Sequence, residues 1–185
     1  MKGIGTKTIV TNNLILRKIK VSDYELAYKN WTSDSLVTRY VTWDYHQSIE
    51  DTKNYFQYKE NSYLNDNYCY DWIIILKESN EPIGEIETVR VSTRDQSVEI
   101  GYCLGSKFWN RGYASEALKA VINYLFLEAE VDKIIACHIS TNPASGKVMK
   151  KCGMKYDGTL VGYLIDKNTN RRENKVYYSI DRKNI

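Results

Sequence analysis

Hydrophobic positions along the chain follow two periods. Alternation with a period near two marks strands. It is read in residues 13–19, where Leu14 and Leu16 alternate about Ile15 between polar Asn13 and Arg17, while 70–76 reads as a strand from its aromatic and β-branched residues. It returns in 83–91 and 96–104, read as a hairpin turning near Thr93-Arg94-Asp95, with Glu81-Pro82 marking a turn before it. Residues 133–139 form a strongly apolar strand, and 155–165 and 173–180 are two final strands around the polar turn 166–170. A period near 3.6 marks helices. Ser22 or Asp23 caps a first one, with Tyr24, Ala27, Tyr28 and Trp31 on one face. Ser48 opens a second, to about Tyr63, anchored by Ile49, Tyr55 and Phe56. The clearest is Tyr113 to Leu127, where Ala114, Leu118, Val121, Ile122 and Leu125 share a face. Asn142-Pro143 combines an N-cap with a first-position proline; Ser145, Val148, Met149 and Cys152 follow on one face, and Gly153 terminates. The order predicts an α/β fold: one sheet of about seven strands with helices on both faces.

Length changes little in this picture. The 185 residues suit one domain, 1–185, and 43% hydrophobic residues suffice for a sizeable core. The net charge of +3 is spread over interleaved acids and bases, so no nucleic-acid partner is expected; Lys150-Lys151 and Arg171-Arg172 read as solvated faces. The longest aliphatic run, Ile73 to Leu76, is far below the roughly 20 residues that span a bilayer. The N-terminus lacks the apolar segment of a signal peptide, so no membrane association and a cytoplasmic location are expected. In that setting the Asn30-Trp31-Thr32 sequon carries no meaning. Cys69, Cys103, Cys137 and Cys152 are scattered and read as buried free thiols, and His46 and His138 have no partner at metal-ligand spacing, so no metal is expected.

Candidate chemistry concentrates before the long helix. Strand 99–104 leads through Gly105-Ser106-Lys107-Phe108-Trp109-Asn110-Arg111-Gly112 into the helix. The first turn of a helix offers unpaired N–H groups and a partial positive charge. Gly112 and the small Ala114 permit close backbone approach and Arg111 adds charge, so a pyrophosphate fits this cradle. An ordinary strand-to-helix turn has the same outline. Two other phosphate motifs fail: there is no Gly-x-Gly-x-x-Gly, and Ser145-Gly146-Lys147 resembles a Walker ending but has Thr141 in place of the first glycine.

Three motifs in order narrow this: Glu99-Ile100-Gly101-Tyr102 with Trp109-Asn110-Arg111-Gly112-Tyr113-Ala114-Ser115-Glu116-Ala117, then Asn142-Pro143-Ala144-Ser145, then Cys152-Gly153-Met154. Together they resemble the GNAT superfamily of N-acetyltransferases, and within it the branch named for ribosomal-protein N-terminal-alanine acetyltransferases. The similarity runs from Leu14-Ile15-Leu16-Arg17 to the last strand. It implies a GNAT-like fold with a mixed, mostly antiparallel sheet. It implies acetyl-CoA as the acetyl donor: the N–H groups from Trp109 through Asn110, Arg111, Gly112, Tyr113 and Ala114, with Ser115 beside them, hold the coenzyme A pyrophosphate. The pantetheine arm pairs with the edge at Tyr102, Cys103 and Leu104, where the sheet splays. Asn142 sits beside the pantetheine. Lys147 either reaches a coenzyme phosphate or faces solvent.

Amine acetylation requires that the ammonium lose a proton, that the carbonyl be polarised, and that the departing thiolate gain a proton. Glu99 is the candidate base, at a motif position where related enzymes use a glutamate; Glu85 and Glu87 on the preceding strand are rival carboxylates. Ser145 is the candidate acid, with water as the alternative. Many relatives place a tyrosine one turn on, and here that position is Met149, which donates no proton. Backbone N–H groups near Tyr102 polarise the carbonyl. The acceptor stays open: a protein N-terminus such as that of a ribosomal protein, a small amine (polyamine or aminoglycoside), or none, in a non-catalytic acyl-CoA-binding module. Its cleft is expected between the first two helices, their 33–47 connection and the last hairpin, where Trp31, Tyr40, Trp43, Tyr45 and Tyr163 either contact it or pack as core. Monomer and homodimer are both open.

Overall fold

All six residues of Asp71–Leu76 are buried, whereas Lys155–Ile165 alternates between exposed and half-buried positions. The first is an interior strand covered on both faces and the second lies at an edge. The computed structural model of the chain describes residues 1–167 and 169–184, Asn184 by its backbone alone. Among the described residues eight strands form one sheet: β1 (Ile9–Val10), β2 (Leu14–Arg17), β3 (Asp71–Leu76), β4 (Glu81–Ser92), β5 (Ser97–Leu104), β6 (Lys133–Ile139), β7 (Lys155–Ile165) and β8 (Arg172–Asp181), in the order β1-β2-β3-β4-β5-β6-β8-β7. Every pairing is antiparallel except β5 with β6.

Helices cover both faces. α4 (Tyr113–Leu127) and α5 (Pro143–Lys151) close one face over a core of Ile100, Leu118, Val121, Leu125, Ile134, Ala136 and Met149. On the other face α1 (Tyr24–Ala27), the π turn Tyr28–Thr32, α2 (Ser35–Thr38) and α3 (Ile49–Asn65) pack Ala27, Trp31, Val37 and Phe56 against Ile73, Ile75 and Cys103. α3 starts as expected, at a capping box in which Ser48 accepts from the Asp51 N–H and Asp51 from the Ser48 N–H. Ile49 is 43% exposed and anchors nothing. Burying a large apolar side chain is worth roughly 1.5–3 kcal/mol, so Phe56 docks this helix.

Other departures have local causes. β1 is an eighth strand, too short at two residues to show a period. Pro82 lies inside β4, opposite Ile75 at a β-bulge where a missing N–H is tolerated, and the turn is 77–80, closed by Asn80 at φ 53°. Asp23 does not cap α1: its carboxylate binds the Arg17 guanidinium and the Lys20 N–H. The expected first helix is a 3₁₀ turn at Val21–Asp23, then α1, then a π turn at Tyr28–Thr32. Cys69 and Cys103 are buried, but Cys137 and Cys152 are only half-buried; all four are free thiols. Among the described residues no helix is long and apolar enough to cross a membrane.

Candidate active site

β5 and β6 pair from Ser97 with Lys133 to Ile100 with Ala136, and stop. Beyond that point β5 follows β4, ending with Leu104 opposite Gly84, while β6 follows β8, ending with Ile139 opposite Lys175. A bulge in β4 between Thr88 and Arg90 adds local twist on the β5 side. The strands diverge, and the β6-facing edge of residues 101–104 is left without a strand partner. Tyr102 spans the opening beneath, its hydroxyl donating to the Ser145 carbonyl at 3.1 Å.

The loop after β5 is fixed by backbone tethers. The Gly105 N–H bonds the Ile83 carbonyl at 2.9 Å, and the Trp109 indole N–H bonds the Leu104 carbonyl at 2.7 Å. Asn110 and Gly112 take left-handed conformations, φ 61° and 86°. A Cβ at Gly112 meets nothing within 4 Å, so this glycine serves the turn and an open space above it. The chain then enters α4, whose first-turn amides have no intrahelical partner and point into that space. Glu116, in the first turn, is drawn away by Thr11 Oγ1 at 2.6 Å and by the Asn13 N–H at 2.7 Å. Burial alone raises its pKa, but these hydrogen bonds hold it below the usual carboxylate value.

α5 presents its N-terminus to the same space. Asn142 caps it, its Oδ1 accepting from the Ser145 N–H at 3.4 Å while its Nδ2 donates to Ser145 Oγ at 3.1 Å. Gly146 is packed against His138, where a Cβ would lie 2.6 Å from Nε2. The Ser145-Gly146-Lys147 stretch is therefore a helix contact and no phosphate loop. Met149 is buried in the core.

A cleft of about 410 Å³ joins these parts. Its wall includes Tyr102, Cys103, Leu104, Trp109, Asn110, Gly112, Tyr113, Ala114, Ser115, Asn142, Ser145 and Lys147. Arg111 is exposed and stands off the wall. Sequence reading missed Val37 and Val41 of the α2 region, and Val148 and Lys151 of α5, as wall residues; Tyr40, expected at the acceptor cleft or in the core, also lines this wall. α2 is one turn long and carries no readable period; Lys151 lies one turn beyond Lys147, a spacing that could have flagged it. Of the other aromatics, Trp31 is core, Trp43 is half-buried, and Tyr45 and Tyr163 are exposed.

Glu99 lines a different, smaller cavity of about 260 Å³ with Arg90, Asp95 and Ile135. It projects to the sheet face opposite α4 and α5, shared along β5 by Cys103. Lys175 lies 3.6 Å from Oε1 and Arg90 3.9 Å from Oε2, and the Cys137 thiol donates to Oε1 at 3.3 Å. Burial pushes Cys137 up to about 11. Glu87, opposite Gly101, binds the Lys59 ammonium, which also binds Asp71 at 2.7 Å. Burial opposes the charge on Lys59, but Asp71 and Glu87 outweigh it and raise its pKa. Glu85 is 4% exposed; burial first, then the Glu87 charge, push it up to about 8. Among the described residues no group of three or more His, Cys, Asp or Glu gathers as for a metal ion.

Comparison of the sequence with known proteins places the chain in a family. Residues 13–155 match the acetyltransferase (GNAT) domain. An uncharacterised N-acetyltransferase, YnaD of Bacillus subtilis, is 33% identical over 150 residues, covering 81% of this chain and 84% of that protein. A ribosomal-protein-serine acetyltransferase of Escherichia coli is 32% identical over 141 residues, 74% of each chain. The solved structure of a ribosomal α-N-protein acetyltransferase in complex with coenzyme A superposes with a TM-score of 0.84 at 17% identity, over 95% of this chain and 98% of that one. With the family matched across most of its length and the splayed sheet and helix cradle in place, the chain belongs to the GNAT family and is an N-acetyltransferase.

Proposed function

We propose that the protein transfers an acetyl group directly from acetyl-CoA to a primary amine, and that this amine is a protein N-terminal α-amino group such as that of a ribosomal protein. The observation that carries the donor assignment is the cleft in which a free strand edge, unpaired α4 amides and the Asn142 cap converge. When bound, acetyl-CoA supplies an activated thioester carbonyl. The amides of residues 113–115 and the open space at Gly112 suit its pyrophosphate, and Lys147 and Lys151 suit its phosphates. The edge at residues 102–104 suits the amide-bearing arm, with Asn142 beside it. A backbone N–H near Tyr102 polarises the carbonyl, and Ser145, held by Asn142, stands on the thiolate side. Glu99 is the acceptor-side carboxylate of the sequence motif. The E. coli relative, named for a ribosomal-protein serine, supports the protein N-terminus. In this reading the chain works as one cytoplasmic domain, monomeric or dimeric, without metal.

One contact favours a small amine as a second reading. Lys167, in the β7–β8 turn, binds Asp44 at 2.8 Å and the Trp43 carbonyl, joining the two segments that border the acceptor face. A turnover screen with N-terminal peptides, polyamines and aminoglycosides separates the readings. Peptide turnover is expected; exclusive turnover of small amines overturns the protein acceptor. Glu99→Gln should lower turnover on the order of 100-fold, the usual scale for a lost acid–base or orienting group, with coenzyme affinity by calorimetry unchanged.

A further inference from the structure

The acceptor face carries a second carboxyl whose surroundings differ from those of Glu99. Glu85 on β4 stands directly across from Cys103, a wall residue of the coenzyme cleft. Its Oε2 accepts from the Tyr55 hydroxyl at 3.2 Å, and the Cys103 thiol faces its Oε1 at 3.9 Å. The charged groups around it are Lys59 of α3, Asp71 of β3 and Glu87 of β4. Lys59 is engaged by Asp71 and Glu87 and only partly offsets the burial of Glu85, whose hydrogen-bond partners are a phenol and a thiol. Glu99, by contrast, has a cation near each oxygen and a thiol on one.

Tyr55 connects Glu85 to the open side. It is half-buried, and its ring meets His46 at 5.7 Å, which in turn meets Trp43 at 5.9 Å. These residues belong to the 39–48 segment that Lys167 ties to the β7–β8 turn. The Tyr55 side chain therefore joins the two, its hydroxyl on the buried carboxyl and its ring on the segment bordering the acceptor face.

We propose that Glu85, reached through the Tyr55 hydroxyl, receives the proton of the acceptor ammonium, while Glu99 positions the acceptor's charge. This rests on the amine-acetylation reading. In the step, an acceptor N–H bond breaks as its proton bonds to Tyr55 Oη. The original Tyr55 O–H bond breaks as that proton bonds to Glu85 Oε2. Tyr55 stays neutral, and Glu85 ends as the carboxylic acid. Two pKa values agree with this division of labour. Burial and the carboxylates raise Tyr55 far above its ordinary value, so it relays without ionising. Glu85, near 8, exchanges a proton in the working range.

The test combines kinetics with a titration read on the protein itself. With saturating peptide and acetyl-CoA, wild-type kcat should rise with pH through a midpoint near 8. Glu85→Gln and Tyr55→Phe should lower kcat on the order of 100-fold and lose that limb, whereas Glu99→Gln should keep the limb at reduced height. A Glu85→Gln profile that retains the wild-type limb and rate overturns the proposal. By ¹³C NMR of glutamate-labelled protein, one carboxyl should titrate near 8 and vanish in Glu85→Gln; no glutamate titrating above about pH 7 overturns it whether or not any acceptor turns over. A wild type that acetylates no amine tells against the transfer reading, and the NMR outcome then decides the Glu85 assignment separately.

Discussion

Single glycines divide into two kinds here, and the difference predicts separate outcomes. At Gly105 an added Cβ would lie 2.1 Å from the Asn30 carbonyl oxygen, so packing forbids it. At Gly112 a Cβ meets nothing, and only the left-handed backbone resists it. Gly112→Ala should therefore cost only about 1–2 kcal/mol of stability, while its methyl enters the anion cradle. Calorimetry should show weakened coenzyme binding in a folded protein; unchanged affinity removes this loop from the pyrophosphate site. The glycine's presence was plain in the sequence. The empty space above it was not, because that depends on where Asn142 and α5 lie.

At the scale of elements, α5 shows local chemistry and site geometry sharing one residue. The Asn142-Pro143 start was legible because cap and first-position proline act within a few residues. What the sequence hid is that the same Asn142 side chain also holds Ser145 Oγ. Asn142→Ala should lower stability by about 1 kcal/mol, the usual worth of a cap, and should also lower kcat by freeing Ser145. Urea unfolding and steady-state rates measure the two effects; a stability loss with an unaltered kcat would confine Asn142 to capping. α4 and β6 were predicted with the bounds they have, since their apolar periods are long or unbroken. The α1 region was read as one regular helix, whereas three helical types occur in succession, the first of them held by Asp23 on Arg17 and Lys20.

Across the whole molecule, two cores flank one sheet, and the buried polar cluster around Glu85 sits beside the Phe56 core. This links pH to global stability. Glu85 has a folded pKa of about 8 against an ordinary 4.5. Between these values the folded chain holds a proton that the unfolded chain has released, so this group's stabilising contribution is complete below the lower value and is lost as pH rises through the upper one. Glutamine does not titrate. Glu85→Gln should thus gain stability relative to wild type between about pH 5 and about pH 9, measured by denaturant unfolding at both ends. A constant difference would mean that Glu85 titrates alike in both states.

The sequence by itself determined the order of the elements other than β1 and α2, and the loop and cap that build the cleft, because periods, caps and turns act over a few residues; the family it offered through the resemblance of three motifs in order. It also supplied Glu99 as the candidate base with Glu85 and Glu87 as rivals, without showing how their surroundings differ. The tertiary structure decided that distinction. Strand register puts Glu85 across from Cys103 and beneath Tyr55, 30 residues earlier in the chain, while β8 brings Lys175 to Glu99. A carboxyl's protonation depends on burial and neighbouring charge, and those neighbours arrive from strands and helices that only the folded sheet brings together.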